Sequence, residues 1–329
     1  MILASLAIIA GFLLLMWSAD RFVDGAAATA KHAGMPPLLI GMVIVGFGTS
    51  APEMVVSAMA ALDGSPGLAL GNAYGSNIAN TGLILGATAL FIPLTVNSKI
   101  IHKELPLLLI ITCLTAAFFW NGTLSRAEGL ILLAGFFGVI GWSIYSAIKG
   151  KGDLIESGMQ DNLEEHDMPL GKAIFWVIAG LILLIISSRM LVWGAVTIAH
   201  QLGVSDLIIG LTIVALGTSL PELAATLVAA KKGQHDIAIG NVVGSNMFNL
   251  LAVVGIAGTI APMPDVPHEL ITRDWPMVMG LTIALFVFGY GFGKRQGRIN
   301  RFEGGALLTA YVAYTAYLIY EITSTAAAT

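Results

Sequence analysis

Residues 41–80 read GMVIVGFGTSAPEMVVSAMAALDGSPGLALGNAYGSNIAN, and 169 positions later residues 210–249 read GLTIVALGTSLPELAATLVAAKKGQHDIAIGNVVGSNMFN. Aligned without a gap over 41–93 and 210–262, the two stretches share 20 of 53 residues. Chance likeness between two apolar helices would fall on Leu, Val and Ala. These identities fall instead on Gly48/Gly217, Thr49/Thr218, Ser50/Ser219, Pro52/Pro221, Glu53/Glu222, Asn72/Asn241, Ser76/Ser245, Asn77/Asn246 and Asn80/Asn249. Many of these are residues that a lipid-facing helix avoids. An internal repeat of this kind marks a duplicated structural unit.

Around the repeat the chain is strongly apolar. Of its 329 residues 57% are hydrophobic and 11% charged, and the mean hydropathy is +0.85. A soluble domain carries about 25% charged residues, so this chain cannot cover a water-facing surface and reads as a membrane protein. The formal charge of −4 excludes a nucleic-acid partner, which needs a basic face. The single cysteine, Cys113, excludes a disulfide framework or thiolate metal cluster and reads as inert core.

A spanning helix needs about 20 mainly apolar residues. Ten stretches qualify: 2–17, 36–61, 68–91, 105–120, 127–148, 172–188, 206–230, 236–260, 276–291 and 304–321. No basic segment precedes the first, so it reads as a retained span and not a cleaved signal. The longest polar break, 149–171, is acidic and central, and divides the chain into 1–148 and 172–329 with five spans each. An odd number of spans per half inserts the second copy upside down. The expected fold is therefore an all-α polytopic membrane protein of ten transmembrane helices, arranged as two inverted five-helix repeats with motifs 41–93 and 210–262 joined by a short cytoplasmic linker. Placing both termini outside puts 13 of the 16 Lys and Arg in cytoplasmic loops and leaves Arg126, Arg189 and Arg273 in outer ones. This is the asymmetry expected of a multi-pass protein of the cell (inner) membrane.

Inverted repeats place a site near the bilayer midplane, often on broken helices. Glu53 and Glu222 lie inside apolar spans, where a carboxylate costs roughly 2.5–3.5 kcal/mol on insertion scales. That the cost recurs at one repeat position argues for a pair of cation ligands rather than two packing residues. Pro52 and Pro221 precede them; proline breaks the hydrogen bond to the carbonyl four residues back, and a freed carbonyl inside a membrane needs a partner. Either a Ser or Thr hydroxyl or a dehydrated cation can supply it. Thr49 shares a helix face with Glu53, and Thr218 with Glu222. The next spans carry Asn72, Ser76 and Asn80, and Asn241, Ser245 and Asn249, at intervals of four. Asn72, Asn241, Asn77 and Asn246 fit either ligands or glue between helices, whereas Ser76, Ser245, Asn80 and Asn249 fit ligands better. The donor set is all oxygen, which suits Ca2+, Mg2+ or alkali cations and not Zn2+ or Cu. Two carboxylates neutralise one divalent ion, and the same oxygens can hold Na+ instead. One site that serves either cargo in turn is an antiporter.

At these residues the chain resembles prokaryotic members of the sodium/calcium exchanger family, within the calcium:cation antiporter superfamily. The resemblance rests on G-T-S-A-P-E at 48–53, G-T-S-L-P-E at 217–222, G-S-N-I-A-N at 75–80 and G-S-N-M-F-N at 244–249, and covers the whole length. It implies that Glu53 and Glu222, with the carbonyls of Thr49 and Thr218, bind Ca2+. It also implies that Ser50, Ser76, Ser219 and Ser245, with the carbonyls of Gly46 and Ala215, complete flanking Na+ sites. Helices 1 and 6 would slide across the other eight to alternate access. Some members carry Asp at one of the positions held here by Asn80 and Asn249, which leaves two carboxylates rather than three. The expected activity is exchange of Na+ for Ca2+, with an H+/Ca2+ or K+-dependent exchanger as the alternative. Ca2+ and Na+ are bound as cargo, lipid is the surroundings, no cofactor is required, and a monomer is expected to suffice.

Other signals point elsewhere only weakly. The linker has Asp153, Gly158 and Glu164 at EF-hand spacing, but Ile155 and Ser157 stand where ligands are needed. The six histidines lie at or beyond span ends, and no G-x-S-x-G or H-E-x-x-H occurs, so an intramembrane enzyme is not expected.

Overall fold

The computed structural model describes residues 2–33, 39, 41–62, 64, 66–97, 100–149, 168–201, 215–290 and 297–328. Helices occupy each of the ten expected stretches among these residues. They are α1 (Ile2–Ala33), α2 (Gly41–Thr49 and Ala51–Leu62), α3 (Pro66–Ile78, Ala79–Leu85 and Gly86–Phe91), α4 (Ile100–Glu104 and Leu105–Phe119) and α5 (Arg126–Lys149). The second set is α6 (Leu170–Gln201), α7 (Ala215–Thr218 and Leu220–Lys231), α8 (His235–Ile260), α9 (Leu270–Asp274 and Trp275–Gly289) and α10 (Arg301–Ala328). By length and apolarity six of them can cross a membrane, or seven if the two parts of α2, bent by 45°, form one span. The start of the seventh expected span and the linker residues of the EF-hand-like spacing lie outside the described residues.

Two helices run well past their expected ends. α1 continues to Ala33, through Asp20, Arg21 and Asp24, because those charges find partners. Lys232, at the α7–α8 turn, lies 2.7 Å from both Asp20 and Asp24, and the Arg21 guanidinium sits over the Trp176 ring. The helix expected at 2–17 thus carries Asp20 and Arg21 in its interior. α6 likewise continues to Gln201. The two helices pack along each other in antiparallel fashion, and glycines permit the close approach. A Cβ on Gly25 would come within 2.8 Å of the Ala173 carbonyl, one on Gly180 within 3.0 Å of Phe22 Cα, and one on Gly194 within 2.7 Å of the Ala4 carbonyl.

The repeat is visible in irregularities as well as helices. Wide π-type turns occupy Ala79–Leu85 in α3 and Asn249–Val253 in α8, and again Ile100–Glu104 in α4 and Leu270–Asp274 in α9. π-turns inside α-helices are rare and cluster at functional sites. α3 crosses α10 where Gly86 meets Gly304, and α8 crosses α5 where Gly255 meets Gly129. A two-stranded ribbon pairs β1 (Leu94–Thr95) with β2 (Arg298–Ile299), and an isolated bridge joins Leu124 to Met263.

The core runs through α8, which is buried without interruption from Ile237 to Gly255. The outer faces of α1, α4, α5 and α6 expose large apolar side chains such as Phe12, Ile110, Phe137 and Phe175, as lipid contact requires. Cys113 lies on this outer surface. The apolar run around it marked a buried helix equally well as a lipid-facing one, so its expected place in the core is corrected.

Candidate cation-binding site

The site forms where the two broken helices cross the two polar ones. In α2 the helix stops at Thr49, Ser50 takes φ −82° and ψ 0°, and the chain resumes at Ala51. In α7 Ser219 takes φ −90° and ψ 6° before Leu220. Both breaks fall two residues ahead of Pro52 and Pro221, which have no N–H to give the carbonyl four residues back. Glu53 and Glu222 then sit in the first turn of the resumed helices, where the exposed N–H groups favour negative charge. Both side chains are 1% exposed, inside a membrane-spanning body and turned away from lipid.

The repeats hold each other's acids. Ser50 Oγ donates to Glu222 Oε1 at 3.2 Å, the Thr49 side chain also lies against Glu222, and the Thr218 side chain takes the corresponding place against Glu53. The two carboxyl groups are close enough to interact electrostatically. The backbones carrying them are fastened from the polar helices. Asn72 Nδ2 donates to the Glu53 carbonyl at 3.4 Å and to Ser57 Oγ at 3.2 Å. Asn241 Nδ2 donates to the Glu222 carbonyl at 3.2 Å and to Thr226 Oγ1 at 2.8 Å, while its Oδ1 accepts from Thr49 Oγ1 at 3.1 Å. Asn72 and Asn241 thus join each polar helix to a broken one, the first to α2 and the second to α7 and α2.

The remaining residues singled out from the sequence fall into place around this crossing. The Gly46 carbonyl accepts from Ser245 Oγ at 3.3 Å and from the Ser50 N–H at 3.0 Å. Thr49 Oγ1 also lies 3.0 Å from the Val45 carbonyl, an alternative acceptor for the one proton it gives to Asn241 Oδ1. Ser76, Asn80, Ser219, Ser245 and Asn249 are all buried. Ala215 is the first residue of α7 as described. Asn77 and Asn246 join α3 to α8 through a chain of amides, and Ser57, Thr226 and Thr81, which the sequence did not single out, accept from Asn72, Asn241 and Asn246.

Among the described residues eight buried side-chain oxygens have no hydrogen-bond partner, and five of them, Glu53 Oε2, Glu222 Oε2, Ser219 Oγ, Asn80 Oδ1 and Asn249 Oδ1, belong to the repeated G-T-S-x-P-E and G-S-N-x-x-N motifs. A buried polar atom without a partner is costly, at about 1–3 kcal/mol. A cluster of orphaned acceptors that includes two carboxylates is the environment a cation relieves.

Broken helices crossing around buried oxygens, in a chain otherwise made for lipid, define a polytopic membrane transporter. The sequence pattern of the sodium/calcium exchanger protein family matches residues 3–145 and 172–320. This chain belongs to the sodium/calcium exchanger family. It is 45% identical to the putative antiporter CaxA of Alkalimonas amylolytica, over 98% of this chain and 100% of that one. It is 36% identical to the inner membrane protein YrbG of Escherichia coli K12, over 97% and 98%. Among solved structures, that of the sodium-calcium exchanger NCX_Mj, soaked with Na+ and Ca2+, superposes with a TM-score of 0.81 at 29% identity, covering 96% of this chain and 98% of that one. The family is one of membrane cation exchangers and not a class of enzyme.

Proposed function

We propose that this protein exchanges Na+ for Ca2+ across the cell membrane by alternating access to the α2/α3/α7/α8 crossing. The observation that carries the reading is the set of five orphaned buried oxygens on the four helices of the repeated motifs. Ca2+ takes six to eight oxygens. Glu53 and Glu222 supply the charge that offsets a divalent ion, and the carbonyls of Thr49 and Thr218 with the amides of Asn80 and Asn249 supply neutral oxygens. Ser50, Ser76, Ser219 and Ser245, with the carbonyls of Gly46 and Ala215, extend the set to flanking Na+ positions. With Asn at both 80 and 249, two carboxylates carry the site's negative charge. Ca2+ and Na+ occupy overlapping oxygens, so one must leave before the other enters, and that competition is the coupling.

The units of this reading are two inverted five-helix repeats, 1–148 and 172–329, joined by the cytoplasmic linker 149–171, with both termini outside. One copy contains both carboxyl groups, so a monomer suffices, and the ions are cargo with no cofactor involved. The antiparallel α1–α6 pair, packed chiefly on itself through Gly25, Gly180 and Gly194, is the element best able to slide against the rest.

Uptake of radiolabelled Ca2+ by proteoliposomes tests the reading, with Na+, K+ and pH gradients imposed separately. Uptake driven by the Na+ gradient is expected. Uptake driven only by the pH gradient overturns sodium coupling in favour of proton exchange, and a requirement for K+ identifies a K+-dependent exchanger.

A further inference from the structure

We infer that Asn77 and Asn246 are positioning residues that fix which way round the amides of Asn249 and Asn80 sit, so that each offers a bound cation its carbonyl oxygen and not its amino group. The inference rests on the reading that cations bind among these oxygens. An amide has two nearly isosteric ends, one an acceptor and the other a double donor. Facing a cation, the first is a ligand and the second repels. Either orientation of Asn80 or Asn249 would fill the same space, so packing alone cannot choose between them.

Hydrogen-bond polarity makes the choice. The main-chain carbonyl of Asn246 can only accept, and it takes Asn77 Nδ2 at 3.2 Å. Asn77 must therefore turn its Oδ1 the other way, where Asn249 Nδ2 donates to it at 3.1 Å. Asn249, with its donor end held by Asn77, turns Oδ1 away, and that oxygen is buried without a partner. The second arm runs through the other repeat. Asn80 Nδ2 donates to Asn246 Oδ1 at 3.2 Å, Asn246 Nδ2 reaches Thr81 Oγ1 at 2.8 Å, and Asn80 Oδ1 is left unpartnered. Glue between helices accounts for the contacts but not for their direction. In both arms the donor end is tied to the opposite repeat and the acceptor end is kept back.

The arms are not copies of each other. One ends on a carbonyl, whose polarity cannot change. The other ends on the hydroxyl of Thr81, which can donate or accept, and the repeat counterpart of Thr81 is Leu250. The Asn249 arm is the more firmly set.

A double-mutant cycle on the full-length protein tests this, with Ca2+ binding and Ca2+ exchange as readouts. Asn77→Ala releases the Asn249 amide and is expected to weaken apparent Ca2+ affinity about tenfold, with the maximal exchange rate near that of wild type. Asn249→Asp replaces the amide by a carboxylate whose two oxygens are alike, so nothing remains to be oriented. In that background Asn77→Ala should cost no affinity. Penalties that add would show that Asn77 only joins helices and overturn the inference. Failure of the wild type to bind Ca2+ would overturn the functional reading instead. Should Asn77→Ala fail to fold, the mirror cycle of Asn246→Ala and Asn80→Asp decides, since Asn246→Ala keeps the main-chain carbonyl. There the single-variant loss should be smaller, about threefold, and should again vanish in the Asp background.

Discussion

The two copies of the motif share their chemistry and differ in their packing. On the α8 side everything is shut. A Cβ on Gly244 would come within 2.8 Å of the Cα and carbonyl oxygen of Met42, one on Gly41 within 2.6 Å of the Ile237 carbonyl, and Asn241 is wholly enclosed. On the α3 side the counterparts Gly71 and Gly75 are exposed and meet nothing among the described residues, and Asn72 is only half-buried. The acids repeat the contrast. Ser50 donates to Glu222, while Ser219 has a buried hydroxyl with no hydrogen-bond partner. Gly41 and Met42, which close on α8, have their repeat counterparts at Gly210 and Leu211, outside the described residues.

The largest test of this comparison removes the feature the copies share. Glu53→Gln and Glu222→Gln each take one charge from the pair and are expected to lower Ca2+ exchange by roughly a hundredfold or more, while the protein still elutes as a folded species on size exclusion. If one variant exchanges like wild type, the two acids are not a matched pair.

The glycines separate the junctions. Gly244→Ala drives a methyl into Met42 backbone that cannot give way, and is expected to destabilise the protein by about 1–3 kcal/mol, read as a fall in melting temperature in detergent. Gly75→Ala meets open space and a better helix former, so melting should hold or rise. Its effect should fall on exchange rate instead, because Gly75 adjoins the motif residues Ser76 and Asn80 on α3. A Gly75→Ala protein that is both stable and fast would break the parallel between the junctions.

The smallest expected effect separates the serines. Ser50→Ala deletes a hydrogen bond to a buried carboxyl group and should cost about 1.5–3 kcal/mol of stability in the ion-free protein. Ser219→Ala removes a hydroxyl that has no partner there, so the melting temperature should be unchanged or higher, and the loss should appear only in Na+ dependence. Equal losses of stability from the two would show that the contrast between them is not maintained in the membrane.

The helical architecture was legible because lipid leaves the backbone few choices, and the site because Glu, Asn and Ser stand out at repeat positions where apolar residues would be expected. The rest was hidden for identifiable reasons. The full length of α1 could not be read, because Asp20 and Asp24 mark a span end unless Lys232, more than two hundred residues away, supplies a counter-charge. The π-turns at Ala79–Leu85 and Asn249–Val253 leave no periodicity signal in so short a stretch. Asn77 and Asn246 were visible as repeated polar residues, but the direction of their hydrogen bonds depends on which atoms of the opposite repeat face them. Thr81 opposite Leu250 was the one difference that pointed to unequal arms.

Cys113 faces outward from α4 and is the chain's single thiol. The native protein is thus a ready-made monothiol scaffold: one fluorophore or spin label attaches at one known place, with no background cysteines to remove. Because that side chain is exposed on the outer surface, the reporter can follow reconstitution and stoichiometry in a bilayer.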